Sequence, residues 1–402
     1  MDVDKGGNAW VGTVIDGFYV IDMHNFSVTR TLDIPLLSGN TVRNGIQSIY
    51  CDRENNSVWI GLYNQGMCYY HPSMNKIVLY NKKMINGDWK GEEIRCMLET
   101  SKGEILMGTT QGVYRYEPET KSMNRFYHEF SQKNCRVLYE DSKKRVWVGT
   151  YHDGLYCIDH GKVQSYDYPD TDYQNELDFS NIRVMVEDSS GRLWVSIYGG
   201  VGLFNPENGQ INLLSEQFPE LKKYKVANAL AIDNQSRLVV GSDNGLYIYD
   251  PATNKIWIPE EDGQANSIFN QGSIKYNQIL KDHEGTLWFA TQYGLSVLTY
   301  NGQSYTLGKE EGLSKAILNV VEDKNHDIWI STVTSIYKIK VDRRADKYSF
   351  HVISCLSEDE IRQDDLYSFP SLMTRDNQLF LGLMNGFIAF SPENMIDNQC
   401  LN

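Results

Sequence analysis

The chain has 402 residues, 41% of them apolar and 12% aromatic, which is enough to bury a substantial core. A formal net charge of -14 argues against nucleic acid or an anionic membrane as a general partner, because no Lys/Arg cluster in the sequence would overcome the repulsion. No window approaches 18 consecutive apolar residues, so no membrane insertion is expected of this chain.

The start, Met1 to Lys5, lacks the apolar run of a signal peptide, and Asp4 to Trp10 already lies inside a repeating motif, so the chain reads as beginning mid-unit. That motif is Asp-x-x-Gly-x-Leu-Trp-Val-Gly with substitutions, and it recurs nine times at intervals of 41 to 51 residues. Its aromatic column reads Trp10, Trp59, Leu106, Trp147, Trp194, Val239, Trp288, Trp329 and Phe380, with a glycine or small residue two places on. A second block follows, as in Gly112-Val113-Tyr114 and Gly245-Leu246-Tyr247. A period of 40 to 50 residues with four short strands per unit is a propeller signature.

The Trp194 unit illustrates the reading. Asn181 to Asp188 is a β-branched first strand, Ser189 to Arg192 a turn, and Leu193 to Ile197 the second strand. The third strand, Gly200 to Asn205, stops at Pro206, and Gln210 to Leu214 is the fourth. Such a sheet is too small to stand alone, and its Trp needs a neighbouring sheet to cover it. The repeated Trp, Asp and Gly therefore read as packing residues, turn caps and points of close approach.

The expected fold is an all-β propeller. The units from Leu106 to Phe380 are assigned to a seven-bladed ring over residues 86–402, and those of Trp10 and Trp59 to the tail of a preceding, truncated propeller over residues 1–85. One ring of eight or nine blades is the alternative.

No chemistry stands out against this repeat. The seven cysteines have no C-x-x-C spacing and read as buried apolar residues. Asp323 to Asp327 has the opening spacing of a calcium loop but sits where other units have a turn, and the eight histidines show no pair at ligand spacing along the chain. No catalytic residue, metal or cofactor is assigned.

Two sets of positions are candidates for recognition. Five residues before the terminal Asp of each first strand, the column reads Gln47, Arg95, Arg136, Arg183, Asn228, Asn277, Leu318 and Ser371. First strands lie innermost in a propeller, so Arg95, Arg136 and Arg183 would form a cationic arc on the central channel. Arginine forks suit carboxylate or sulfate. Pairing with Glu99, Glu140 and Glu187 is the structural alternative. The loop after the second strand carries Tyr63, Tyr151, Tyr198 and Tyr293, whose rings could stack on sugars or simply pack at the rim. The same loop holds His152 beside Asp153, an adjacency that rarely gives acid/base geometry.

The motifs resemble the two-component regulator propeller repeat of Bacteroides-type hybrid two-component sensors. The resemblance runs along the whole chain and is strongest at Gly312 to Asp323 with Ile328-Trp329-Ile330, and at Val146 to Thr150 with Gly154-Leu155-Tyr156. It implies a periplasmic, non-enzymatic sensor region that recognises an oligosaccharide, acidic if the arginines face the channel. It also implies adjoining β-sandwich and kinase modules and allows a homodimer. Leu106 and Val239 depart from the repeat's Trp, and Ser335 from its glycine, which puts individual blades in question. The competing readings are a propeller glycoside hydrolase or lyase, which needs two carboxylates about 5 to 9.5 Å apart, and a protein-interaction platform.

Overall fold

The computed structural model describes residues 1–14, 18–30, 45–54, 56–63, 66–70, 78–168, 177–259, 274–313, 315–344, 347–356 and 370–395. They form an all-β propeller of antiparallel sheets that follow one another along the chain. In the Trp194 sheet the strands are Asp178–Glu187, Leu193–Tyr198, Gly200–Phe204 and Ile211–Leu213, hydrogen-bonded in sequence order. No helix among the described residues is long and apolar enough to cross a membrane.

Seven sheets carry the columns Leu106 to Phe380. Their first strands are Ile94–Glu99, Cys135–Glu140, Asp178–Glu187, Ala227–Ile232, Tyr276–Lys281, Asn319–Glu322 and Ser371–Met373. Each contacts the first strand of the next sheet, and Ser371–Met373 in turn contacts Ile94–Glu99, so the contacts run in a closed cycle. The fourth strand of the Phe380 sheet comes from far upstream: Val78–Asn81 pairs antiparallel with Gly386–Phe390, Asn81 opposite Gly386. This strand belongs by its pairing to the Phe380 sheet, so a boundary drawn at residue 86 falls on the wrong side of it. The pairing covers a backbone edge that would otherwise be open. Upstream, Asp2–Arg30 supplies a four-stranded sheet and Ile46–Tyr70 a three-stranded one. These two share a core of Trp10, Phe18, Val58 and Ile60.

The repeated residues explain why one sheet needs the next. Asp141 closes the first hairpin by accepting the Lys143 and Arg145 backbone N–H groups, and its second oxygen accepts Trp147 Nε1–H at 2.9 Å. The same clasp joins Asp188 to Trp194, Asp282 to Trp288, and Asp323 to Trp329, at 2.8 to 3.0 Å. A buried indole N–H is thereby satisfied while its rings fill the gap between sheets. Trp147, for instance, packs with Ile182, Met185 and Val195 of the following sheet. Where the column is not Trp, the cap can change with it. Thr100 stands with Leu106 and Thr374 with Phe380, while beside Val239 the Asp233 carboxylate binds Arg237 Nε at 2.7 Å. Leu106, Val239 and Phe380 are all buried, so the departures from Trp leave these sheets in place.

The small residue after the column marks the closest approach between sheets. A Cβ on Gly149 would lie 2.7 Å from Ile182 Cγ2, and one on Gly241 would lie 2.7 Å from Tyr276 Cβ, both on the next first strand. Ser196 fits the same place by donating its hydroxyl to Ala227 O at 2.7 Å.

Two outcomes follow from this packing. Gly149→Val should destabilise the fold by roughly 1 to 3 kcal/mol through overpacking, measured by urea unfolding, whereas Ser at 149 should cost less. Burial opposes the Asp188 charge, but hydrogen bonds from Trp194, Arg192 and Ser190 outweigh it and hold its carboxyl below the ordinary Asp value. Its contribution is therefore complete above about pH 4 and is lost as pH falls through the lower folded value. Asp188→Asn should flatten that part of the acid-unfolding profile.

Candidate ligand-binding site

A β-bulge recurs at one place in the first strands and decides where the polar column points. Pairing with the second strand skips one residue between Ile94 and Cys96, between Cys135 and Val137, between Ala227 and Ala229, and between Tyr276 and Gln278. The skipped residues are Arg95, Arg136, Asn228 and Asn277, and Arg183 is skipped likewise between Ile182 and Val184. A bulged residue leaves the ladder and its side chain is re-aimed. Gln47 occupies the same bulge in the upstream Trp59 sheet, outside the cycle. Ser371 does not belong to the column: Thr374, whose N–H bonds Gln378 O, is the residue equivalent to the other turn caps, which moves the matching position to 369, outside the described residues.

Arg95, Arg136, Arg183 and Asn228, with Glu93 and Val184, line a cavity of about 220 Å³. Four successive sheets thus contribute the same position to one space. Arg95 binds Glu93 Oε2 at 2.9 Å, and Arg183 donates to Asn228 Oδ1 at 2.9 Å. Asn228 is held in turn by Asp243 Oδ1 at 2.7 Å, which also takes Lys275 Nζ at 3.1 Å. Arg136 lies over the Tyr151 ring, 4.4 Å from its centroid. The Nε atoms of all three arginines are buried without a hydrogen-bond partner among the described residues.

The pairing with Glu99, Glu140 and Glu187 does not occur. Glu140 accepts the Ser101 backbone N–H and hydroxyl at 2.6 and 2.7 Å, and Glu187 does the same for Ser142 at 2.6 and 2.7 Å. Glu99 binds the Arg375 N–H at 2.7 Å and Nε at 3.2 Å. These carboxylates tie each sheet to the hairpin turn of the sheet before it. Glu93, which precedes its strand and has no counterpart in the repeat, is the carboxylate that reaches the arc. No periodic pattern could have flagged it.

Three guanidinium groups share the lining with one carboxylate, and their charge is poorly compensated. Burial, followed by the charges of Arg183 and Arg95, pushes Arg136 down to about 10. Burial likewise lowers Arg183. Both remain cationic at neutral pH, in an environment whose burial disfavours the charge.

The loop residues divide. Tyr151 is not in the cavity lining but stacks on Arg136, which is, and His152 lies against Tyr151 at 3.9 Å between ring centroids. His152 Nδ1 is 3.3 Å from Asp178 Oδ2, whereas its neighbour Asp153 binds Lys133 Nζ at 3.0 Å. The His152–Asp178 contact anchors the loop that carries Tyr151. Tyr198 is partly exposed in the Trp194 sheet and lies near enough to influence the Arg183 charge. Tyr293, 62% exposed, belongs to the Trp288 sheet, and Tyr63, 63% exposed, to the upstream Trp59 sheet. Neither lines the cavity.

The fold is a propeller, and its cavity is lined by three arginines of successive sheets. No family model and no curated protein matches the chain. Among solved structures it is similar to the extracellular domain of BT3049, assigned as a hybrid two-component system of B. thetaiotaomicron, with a TM-score of 0.67 and 20% identity over 98% of this chain and 51% of that one. The extracellular domain of BT4673 from the same organism gives a TM-score of 0.60 and 19% identity over 100% of this chain and 53% of that one. Virginiamycin B lyase from Staphylococcus aureus gives a TM-score of 0.56 and 12% identity over 78% and 98%. The chain thus spans about half the length of the two sensor structures, and the likeness establishes a shared fold.

A structural role for Arg136 and a binding role differ in their effect on stability. Because the folded state lowers the Arg136 pKa, its charge disfavours folding at every pH below about 10. Arg136→Gln should leave the thermal midpoint unchanged or raise it. A fall comparable to that of Arg145→Gln, which breaks the 2.6 Å contact with buried Asp141, would assign Arg136 to structure.

Proposed function

We propose that the chain is the ligand-sensing part of a periplasmic two-component receptor and that it binds an acidic oligosaccharide at the arginine-lined cavity. The observation that carries this reading is the arc of three bulged arginines whose Nε groups are buried without a hydrogen-bond partner among the described residues and whose expected glutamates are engaged elsewhere. A carboxylate or sulfate would take two N–H groups from one guanidinium and neutralise the arc. The likeness to extracellular domains of two-component systems supports the sensing role.

On this reading the seven sheets joined by the cycle of contacts are one propeller, and the sheets of Trp10 and Trp59 are blades of a preceding one. The receptor's β-sandwich and kinase modules would adjoin this region, which senses and does not catalyse. A lyase of the same fold is among the similar structures, so the fold alone does not separate a sensor from an enzyme. The chemistry favours binding, because the cavity lining offers three cations and a single carboxylate where glycoside hydrolysis calls for two carboxyl groups.

The test is calorimetric titration with uronic-acid-containing, sulfated and neutral oligosaccharides at two salt concentrations. Acidic sugars should bind more tightly, and more weakly as salt rises. Arg136→Ala should cost roughly 1.5 to 3 kcal/mol, the value of a hydrogen bond to a charged group. Equal binding by wild type and Arg136→Ala, or product formation from any of the sugars, would overturn the proposal.

A further inference from the structure

At the other end of the first strands, the contact between sheets varies from junction to junction, and at one of them it brings two imidazoles onto one carboxylate. Between the Leu106 and Trp147 sheets, and between the Trp147 and Trp194 sheets, the glutamate that ends the first strand holds a serine, Ser101 or Ser142. Between the Trp288 and Trp329 sheets the glutamate is Glu322 and the serine is replaced by His283. Glu322 Oε2 accepts the His283 backbone N–H at 2.9 Å, as the clasp does elsewhere, and Oε1 meets the His283 Nδ1 atom. A second imidazole then arrives from the turn of the Trp329 sheet: His326 Nδ1 lies 3.0 Å from the same Glu322 Oε1. The two rings stack with centroids 3.5 Å apart and planes 22° from parallel.

We propose that His283, His326 and Glu322 form a binding site for a divalent transition metal ion of the zinc type, bridging two sheets of the propeller. One nitrogen of each imidazole and a carboxylate oxygen of Glu322 all lie within 4.8 Å of one another, and both Nδ1 atoms meet Glu322 Oε1. Ligand bonds of about 2.0 to 2.2 Å place neighbouring donors of a tetrahedral ion about 3.4 Å apart, so the two stacked rings have to tilt apart for both lone pairs to meet at one ion. Imidazole and carboxylate donors suit zinc, and calcium would call for oxygen ligands only. The side chains of His283 and His326 are 35% and 48% exposed, which lets an ion enter and leaves solvent to complete its coordination.

The surroundings are already arranged. The His283 N–H fixes the Glu322 carboxylate through its other oxygen. Coordination through Nδ1 puts the proton of His283 on Nε2, which lies 4.0 Å from Glu284 Oε1. Glu284 is itself held through Oε2 by the Tyr348 hydroxyl at 2.9 Å and by Arg343 at 3.2 Å. At 4.0 Å Glu284 places a negative charge behind the ring without a hydrogen bond to it. A hydrogen-bonded clasp alone needs one donor side chain, as Ser101 and Ser142 show, and leaves the second imidazole unexplained. Sequence spacing conceals the site, because His283 and His326 are one repeat apart and meet only when adjacent sheets stack.

The test uses the untagged chain, stripped with a chelator and titrated with zinc chloride by calorimetry, with cobalt(II) absorption as a check on coordination. One equivalent of zinc should bind and raise the thermal midpoint. His283→Ser, which restores the clasp of Ser101 and Ser142, and His326→Asn, which tolerates the left-handed backbone of residue 326 (φ 63°), should each weaken zinc binding at least about tenfold. Both should retain the unfolding cooperativity of the metal-free wild type. Absence of zinc binding by the wild type, or binding of equal affinity in both variants, would overturn the proposal.

Discussion

The close approach of neighbouring first strands is the constraint on which the rest of this structure depends. At the position two residues after the aromatic column there is room for Gly, Ser or Ala and little else: Gly149 faces Ile182, Gly241 faces Tyr276, and Ser196 bonds Ala227 O. Bringing the inner strands this near lets each Trp fill the gap behind them, where the Asp at the hairpin turn accepts its indole N–H. The apolar core is therefore a series of clusters, each shared by two sheets, such as the one joining Trp147 to Ile182 and Met185. No single sheet owns a core, and stability is carried by the interfaces.

The same approach shapes the binding site. The bulge that frees Arg95, Arg136, Arg183, Asn228 and Asn277 lies at the crowded end of the first strand. There the ladder gives up one residue per sheet, and the side chain of that residue is available to the cavity. Some of the freed groups are consumed between sheets: Asn277 donates to Ile317 O at 2.8 Å, and Asn228 links Arg183 to Asp243. The arginine Nε groups have no hydrogen-bond partner among the described residues.

Much of this was legible in the sequence because a propeller repeats its chemistry. The Trp, Asp and Gly columns, the four strands of each unit and the identity of the polar column all follow from periodicity, and Leu106, Val239 and Phe380 occupy their column without Trp. What periodicity could not supply is anything that depends on which neighbour a side chain meets. The partners of Glu99, Glu140 and Glu187 sit on the preceding sheet's turn, Glu93 enters the arc from outside the repeat, and the Phe380 sheet is completed by Val78–Asn81 from the opposite end of the cycle. The offset of Ser371 arose because a threonine, Thr374, replaced the aspartate that marks the register elsewhere. His152 likewise ignores its sequence neighbour and takes Asp178.

The account stands or falls on whether the arginine cavity is where ligand sits. A crystal structure of the protein with a uronic-acid-terminated or sulfated oligosaccharide addresses this directly. The account predicts the acidic group against Arg136 and Arg183, accepting their N–H groups. Ligand bound at another surface, with the cavity empty, would contradict it.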